Sequence, residues 1–258
     1  MSAPKLDTRN LLLSRRLEKV EHSPFTYFMI DDYLPAPVFR QLMDEFPGAD
    51  YMSGETHGNK RYFSPDASPD TYARFRNAHP LWAQLADFFD SEEFMKDING
   101  VFRRDLLRSR GASGLRPWQR ADRSQGIRRL PVFQPVKLSV EFSSLGAGCF
   151  VPPHTDRGGK LISLMLYFAP PDWKAEYGGG TDFYVPADRN DEALKDNWAN
   201  REVRFDQMST FATSAFVPNR LAGFLKSKVS YHGVNALACP PGVFRKSLNI
   251  NINATKAV

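Results

Sequence analysis

The sequence predicts a mainly β protein, an antiparallel sandwich or barrel core buttressed by helices at its N-terminal end. Three observations carry this prediction. From about residue 132 the chain runs through short alternating or apolar stretches divided by Gly and Pro turns, a grammar of antiparallel strands. Before that point, residues 71–108 carry helical periodicity, strongest over HPLWAQLADFFDSEEFMKDI. Helices first and strands afterwards argues for a sheet core with helices against it, not for alternating βαβ units.

Each element follows from its own pattern. Residues 6–20 read as a short basic helix, and FTYFMIDDYL (25–34) as a strand ending in an acidic turn. In PAPVFRQLMDEFP (35–47) Val38, Leu42 and Phe46 recur at fourfold spacing, so this stretch is a predicted helix. Residues 48–70 are rich in Gly, Ser, Asp and Pro and read as loop, and residues 109–131, with Gly, Ser, Arg and Pro, as a mobile loop. The predicted strands are VKLSVEFSSL, KLISLMLYFAP, GGTDFYVP, SAFVPNRLAGFL, KVSYHGV and FRKSLNINI, with 187–210 as a polar insertion loop. No internal repeat or interdomain linker is visible, so 1–258 is expected to be one domain: a mostly helical 1–131 and a β core over 132–258.

Composition narrows the class. With 42% hydrophobic residues and 20 Phe, the chain can bury a sizeable core, which excludes wholesale disorder. No apolar stretch approaches the roughly 20 residues of a membrane span. The opening MSAPKLDTRNLLLSRRLEKVEH is charged throughout and lacks a signal-peptide core, and two cysteines are too few for a disulfide framework. A reduced cytoplasmic setting is expected. The formal charge of +5 is local: residues 103–129 hold nine Arg and two Asp, net +7, so the remainder sums to −2. That segment reads as a solvated basic loop or as a lid drawing in an anionic substrate. Nucleic acid is disfavoured, because Trp118 is its one aromatic for stacking.

The chemistry centres on VPPHTDRGGK, where His154 and Asp156 stand two apart. Alone, they fit a polar turn between strands as well as a metal site. His232, in KVSYHGVNA, would complete a two-His, one-carboxylate set that leaves open positions on an octahedral ion; such ligands also suit Zn(II) or Mn(II). In FRKSLNINI, strand alternation puts Arg245, Ser247, Asn249 and Asn251 on one face and Leu248, Ile250 and Ile252 on the other. The polar face reads either as solvent-facing or as a site in which an Arg fork and a Ser hydroxyl grip a carboxylate.

Taken together, His154-Thr-Asp156, YGGGTDFY (177–184), NRLAGFL (219–225), YHGV (231–234) and Arg245-Lys-Ser247, thirteen residues past the distal His, resemble the 2-oxoglutarate- and Fe(II)-dependent oxygenases of the prolyl-hydroxylase-like superfamily. The FTYFMIDDYLPAPVFRQLMDEFP opening resembles bacterial members. The resemblance runs from about 24 to 253, with 48–131 matching poorly. It implies a double-stranded β-helix (jelly-roll, cupin-like) core, with His154, Asp156 and His232 holding Fe(II). It also implies 2-oxoglutarate and O2 as co-substrates, with Arg245, Ser247 and a phenol at Tyr167 on the far carboxylate. Ser163, Met165 and Tyr167 should share a face. Relatives often carry a tyrosine on the strand before the His-x-Asp turn, for which Phe142 is the nearest counterpart. Lys246 should point away from Arg245. The carboxylate at 156, which halogenating relatives replace with a small residue, implies hydroxylation, with succinate released.

The expected function is therefore hydroxylation of a small polar or anionic molecule, an amino acid derivative or specialised metabolite, with Asn249, Asn251, Arg116 and Arg120 as candidate substrate contacts. Two alternatives stand beside it: a hydroxylase or demethylase acting on protein or nucleic acid, and a non-catalytic β-sandwich module that captures an anion.

Overall fold

A computed structural model describes residues 6–56, 60–121 and 132–255. Two sheets face one another. The larger has the order β1-β10-β7-β12-β5-β3-β2, with β4 pairing β5 off this path, and the smaller runs β6-β11-β8-β9. In chain order the core strands are β5 (Gln134–Leu145), β6 (Val151–His154), β7 (Lys160–Tyr167), β8 (Thr181–Pro186), β9 (Met208–Ser214), β10 (Leu221–Leu225), β11 (Tyr231–Val234) and β12 (Arg245–Ala254). The chain passes repeatedly between the sheets, so that β5, β7, β10 and β12 build the large one and β6, β8, β9 and β11 the small one. This is the double-stranded β-helix form of the jelly roll, as expected.

The N-terminal part adds to both edges of the large sheet. β1 (Tyr27–Ile30) pairs with β10, and the hairpin of β2 (Ser53–Thr56) and β3 (Lys60–Phe63) pairs with β5. The helices α2 (Ala36–Asp44), α3 (Pro69–Ala78), α4 (Pro80–Phe89), α5 (Glu92–Val101) and α6 (Arg103–Arg110) supply the apolar side chains that cover the sheet's outer face. That face is built by alternation: Val140 and Phe142, Leu164 and Leu166, and Leu248, Ile250 and Ile252 belong to one buried cluster with Leu81, Trp82, Leu85 and Phe89. The opposite face of the same strands, toward the small sheet, is markedly polar.

Several sequence expectations change. The segment read as a basic helix over 6–20 is a 3-10 turn, Thr8–Leu11, and one helical turn, α1 (Leu13–Arg16). The stretch 48–70, read as loop, contains the β2–β3 hairpin, whose sequences SGET and KRYF carry too few apolar residues to reveal it. Of the loop expected over 109–131, Gly111–Leu115 is a 3-10 turn and β4 (Trp118–Arg120) runs parallel to β5; residues 122–131 lie outside the described residues. The strand β6 is an edge, where Pro152 and Pro153 cost no ladder hydrogen bond with a further neighbour.

Phe142 is the clearest reassignment. It points away from the small sheet, 2% exposed, with its ring 4.8 Å from Trp82, 5.4 Å from Phe46 and Phe75, and 5.8 Å from Phe63. It is a packing residue between sheet and helices, not a counterpart of a co-substrate tyrosine. Truncating it to Ala is expected to lower stability by about 3–5 kcal/mol, read by chemical denaturation. No helix among the described residues is long and apolar enough to cross a membrane.

Candidate active site

His154 ends β6 and His232 lies on β11, and the two are directly opposed in the antiparallel register of these strands. That pairing brings their ring centroids to 4.2 Å. Asp156 is on neither strand. It sits in the turn after β6 with φ +71°, a left-handed conformation that Asp tolerates better than most residues, and the turn swings its carboxylate back to the histidines. His154 Nε2 is 3.6 Å from Asp156 Oδ1, and His232 Nε2 is 3.7 Å from Oδ2. The ligand atoms of all three residues lie within 4.8 Å of one another. His-x-Asp is thus a strand end followed by a turn that aims the carboxylate at its neighbours.

The tautomers follow from the partners. His154 Nδ1 lies 2.9 Å from Pro152 O and His232 Nδ1 lies 3.1 Å from Ser230 O. A carbonyl oxygen only accepts, so each Nδ1 carries the hydrogen and each Nε2 presents a lone pair. His232 is kept neutral by burial, with the nearby His154 adding to the effect, and its pKa is pulled down to about 3. Burial alone would raise the Asp156 carboxyl. Lys160 and the two neighbouring histidines together outweigh it and hold Asp156 well below the usual carboxylate range. Both Nε2 atoms therefore face the carboxylate, an arrangement that suits a cation held between them. The donor set fits a divalent transition metal.

The carboxylate is held from behind. Lys160 Nζ donates to Oδ1 at 2.7 Å and Ser163 Oγ to Oδ2 at 2.9 Å. Below the turn, the fully buried Lys226 donates to Thr155 Oγ1 at 2.9 Å and to Asn197 O at 3.3 Å, and burial draws its pKa down to about 8. Thr155 itself donates to Asn197 O, and Arg110 donates to the carbonyls of Gly158 and Lys160. The loop over 187–207 and helix α6 thereby clamp the ligand turn.

A cavity of about 250 Å³ leads from this triad to Arg245. Arg245 opens β12 and is 3% exposed, its guanidinium 5.1 Å from the Tyr167 ring centroid and 5.2 Å from that of Phe216. Nε donates to Gly179 O at 2.5 Å, Nη1 to Ser247 Oγ at 3.2 Å and Nη2 to Thr181 Oγ1 at 3.4 Å. Tyr167 OH donates to Thr181 Oγ1 at 2.7 Å. The YGGGT run serves this arginine: Gly179 has φ +87°, and a Cβ there would lie 3.1 Å from Trp173 and 3.4 Å from Arg245 Cδ. Among the described residues no carboxylate forms an ion pair with Arg245. Burial pushes its pKa below the ordinary value. A buried cation without a counter-ion is costly, and an incoming anion relieves that cost.

The remaining expected residues divide. Ser163, Asn249 and Asn251 line this cavity, and Tyr167 and Ser247 flank Arg245 as described. Lys246 points the other way, over the Phe46 ring at 5.4 Å. Arg116 and Arg120 do not reach the cavity. Arg116 is exposed, and Arg120 bonds Asp90, 2.6 Å from its Oδ2 and 2.8 Å from its carbonyl, beside a separate cleft with Tyr72, Arg76 and Asp87. Among the cavity residues not anticipated are Lys60, Glu141, Lys160 and Thr181. Glu141 was legible, because alternation in VKLSVEFSSL sets Ser139, Glu141 and Ser143 opposite Val140 and Phe142.

No protein-family profile matches the chain, and no curated protein matches it in sequence. Solved structures are similar at low identity. A prolyl-4-hydroxylase of Pseudomonas putida is 18% identical over 89% of this chain and 92% of its own, with TM-score 0.44. HygX of Streptomyces hygroscopicus, crystallised with nickel and 2-oxoglutarate, is 12% identical over 89% and 83%, with TM-score 0.46. A Trichoplax adhaerens prolyl hydroxylase, in complex with a hypoxia inducible factor peptide fragment, is 11% identical over 90% and 84%, with TM-score 0.43. Fold and chemistry alike rest on the strands and side chains described above.

Proposed function

We propose that this protein is a non-haem Fe(II)- and 2-oxoglutarate-dependent oxygenase that hydroxylates a C–H bond of a small polar molecule. The observation that carries the proposal is one cavity with a two-histidine, one-carboxylate triad and a buried arginine that has no carboxylate partner among the described residues. A keto-diacid has the two ends that such a cavity recognises. Bound at the triad with its co-substrate, Fe(II) supplies O2 activation coupled to decarboxylation of 2-oxoglutarate to succinate, and transfer of one oxygen atom to substrate.

The chain's own residues do the rest. His154, Asp156 and His232 would hold the metal through Nε2, a carboxylate oxygen and Nε2. Lys160 and Ser163 fix the rotation of Asp156, as supporting partners of metal ligands commonly do. Phe224, 4.2 Å from the His232 ring, and the Nδ1–H bond to Ser230 O hold that imidazole in one orientation. Arg245, with the hydroxyls of Ser247 and Thr181, would take the distal carboxylate of 2-oxoglutarate. The rings of Tyr167 and Phe216 keep water from the guanidinium, which strengthens a charge-assisted bond there.

Incubation with Fe(II), 2-oxoglutarate and O2 is expected to release succinate in an O2-dependent manner, even slowly without substrate, and faster with a matching small molecule. Absence of succinate across a broad metabolite panel would contradict the proposal and favour the anion-capturing module.

A further inference from the structure

The oxygenase reading accounts for one flank of the cavity and leaves the other unexplained. Arg245, Ser247, Tyr167, Ser163 and Thr181 come from β12, β7 and β8, and they serve the keto-diacid and Asp156. Across β12 lies the flank built by β5 and β3. Here Glu141, level with Asn249 in the β5–β12 register, projects into the same cavity. Its Oε1 accepts two hydrogen bonds, from Lys60 Nζ at 3.2 Å and from Asn249 Nδ2 at 3.2 Å. Its Oε2 accepts none from the described residues, and the side chain is 31% exposed.

A carboxylate on the wall of a cavity, with one oxygen fixed by two donors and the other accepting none, is an oriented acceptor for a donor. The cavity's cations are already spoken for: Lys60 faces Glu141, Lys160 faces Asp156, and Arg245 awaits the co-substrate. The open Glu141 oxygen is the remaining strong polar group on the substrate's side. A simple solvated Lys–Glu pair explains less, because Glu141 occupies an inward strand position and is also gripped by Asn249, itself held by Ser247 Oγ at 3.2 Å.

Resting on the oxygenase reading of this cavity, we infer that Glu141 is the specificity-determining residue and that it takes a protonated primary amine on the substrate. An ammonium gives a charge-assisted bond to Oε2, about twice as strong as a neutral hydroxyl would form. It also places positive charge on the side of Glu141 away from Lys60, where a dianionic co-substrate would otherwise meet an acidic neighbour. The substrate class is thus a small amine, an amino acid or an alkyl amine; Asn249 orients Glu141, and Lys60 competes with the amine for its charge.

The test is a calorimetric titration of anaerobic protein loaded with Fe(II) and 2-oxoglutarate. The probes are the common L-amino acids, ornithine and putrescine, each beside its N-acetyl and hydroxy counterpart. At least one amine is expected to bind, its N-acetyl and hydroxy counterparts at least tenfold more weakly, and Glu141→Gln at least tenfold more weakly than wild type. Lys60→Met, which leaves Glu141 without its competing ammonium, should bind the amine as tightly or more tightly, so the result does not hang on one variant's folding. Binding of no amine, equal binding of the hydroxy counterpart, or insensitivity to Glu141→Gln overturns the inference. Failure of wild type to bind 2-oxoglutarate in the loading step instead sinks the oxygenase reading, and is scored separately.

Discussion

Replacing His232 with Ala is expected to weaken Fe(II) binding by at least ~100-fold and to reduce 2-oxoglutarate turnover to background. The imidazole is one of three donors, and loss even of the groups that support metal ligands typically costs 10–100-fold, so loss of a ligand itself costs at least as much. The variant separates a ligand from a packing residue. His232 lies against Phe224 and His154, so its removal leaves a small cavity, but it takes away a buried neutral base and no hydrophobic anchor. Metal titration followed by calorimetry reads the affinity, and thermal melting of the metal-free protein reads the fold. Loss of affinity with a nearly unchanged metal-free melting temperature is the expected pair of results. Equal metal affinity in the two proteins would remove His232 from the site.

Arg245→Gln is expected to raise the KM for 2-oxoglutarate about 100-fold while leaving kcat at saturation within a few-fold. Truncating one partner of a buried, hydrogen-bonded charge pair costs about 2–5 kcal/mol, and 3 kcal/mol corresponds to about 150-fold in affinity. The effect falls on binding, because the guanidinium lies at the far end of the cavity from the triad. Stability provides a second signature. Arg245 is 3% exposed with no counter-ion among the described residues, so replacing it with a neutral side chain is expected to leave the melting temperature of protein without 2-oxoglutarate unchanged or raise it. A structural arginine would behave oppositely, its loss lowering the melting temperature without touching the KM. Steady-state kinetics with varied 2-oxoglutarate, together with melting of both proteins, decides between them.

The parts of this architecture that could be read from the sequence were those in which alternation and burial agree. FRKSLNINI gave the Arg245, Ser247, Asn249 and Asn251 face correctly because its other face is uniformly Leu and Ile. KLISLMLYF gave β7 for the same reason. β6 escaped because two prolines interrupt it, and β9, MSTFATS, because an edge strand with much of its surface exposed carries little apolar signal. The candidate metal ligands were legible as residue types, but only the direct pairing of His154 with His232 and the left-handed turn at Asp156 bring them together. Phe142 was misplaced by one position of phase. In a strand that shift exchanges the core face for the cavity face, and it concealed Glu141 next door. Arg116 and Arg120 were chosen from charge density, which says that a segment is basic and nothing about where its side chains point. Arg120 proved to belong to Asp90.

The account stands on one metal and one keto-diacid meeting in a single cavity, and an anaerobic visible titration tests this most directly. Adding 2-oxoglutarate to Fe(II)-loaded wild-type protein should produce a metal-to-ligand charge-transfer band that saturates at one equivalent per chain. The band should be absent in His232→Ala and should require far more 2-oxoglutarate in Arg245→Gln. A wild-type protein that shows no band, or a band indifferent to both substitutions, would contradict the account.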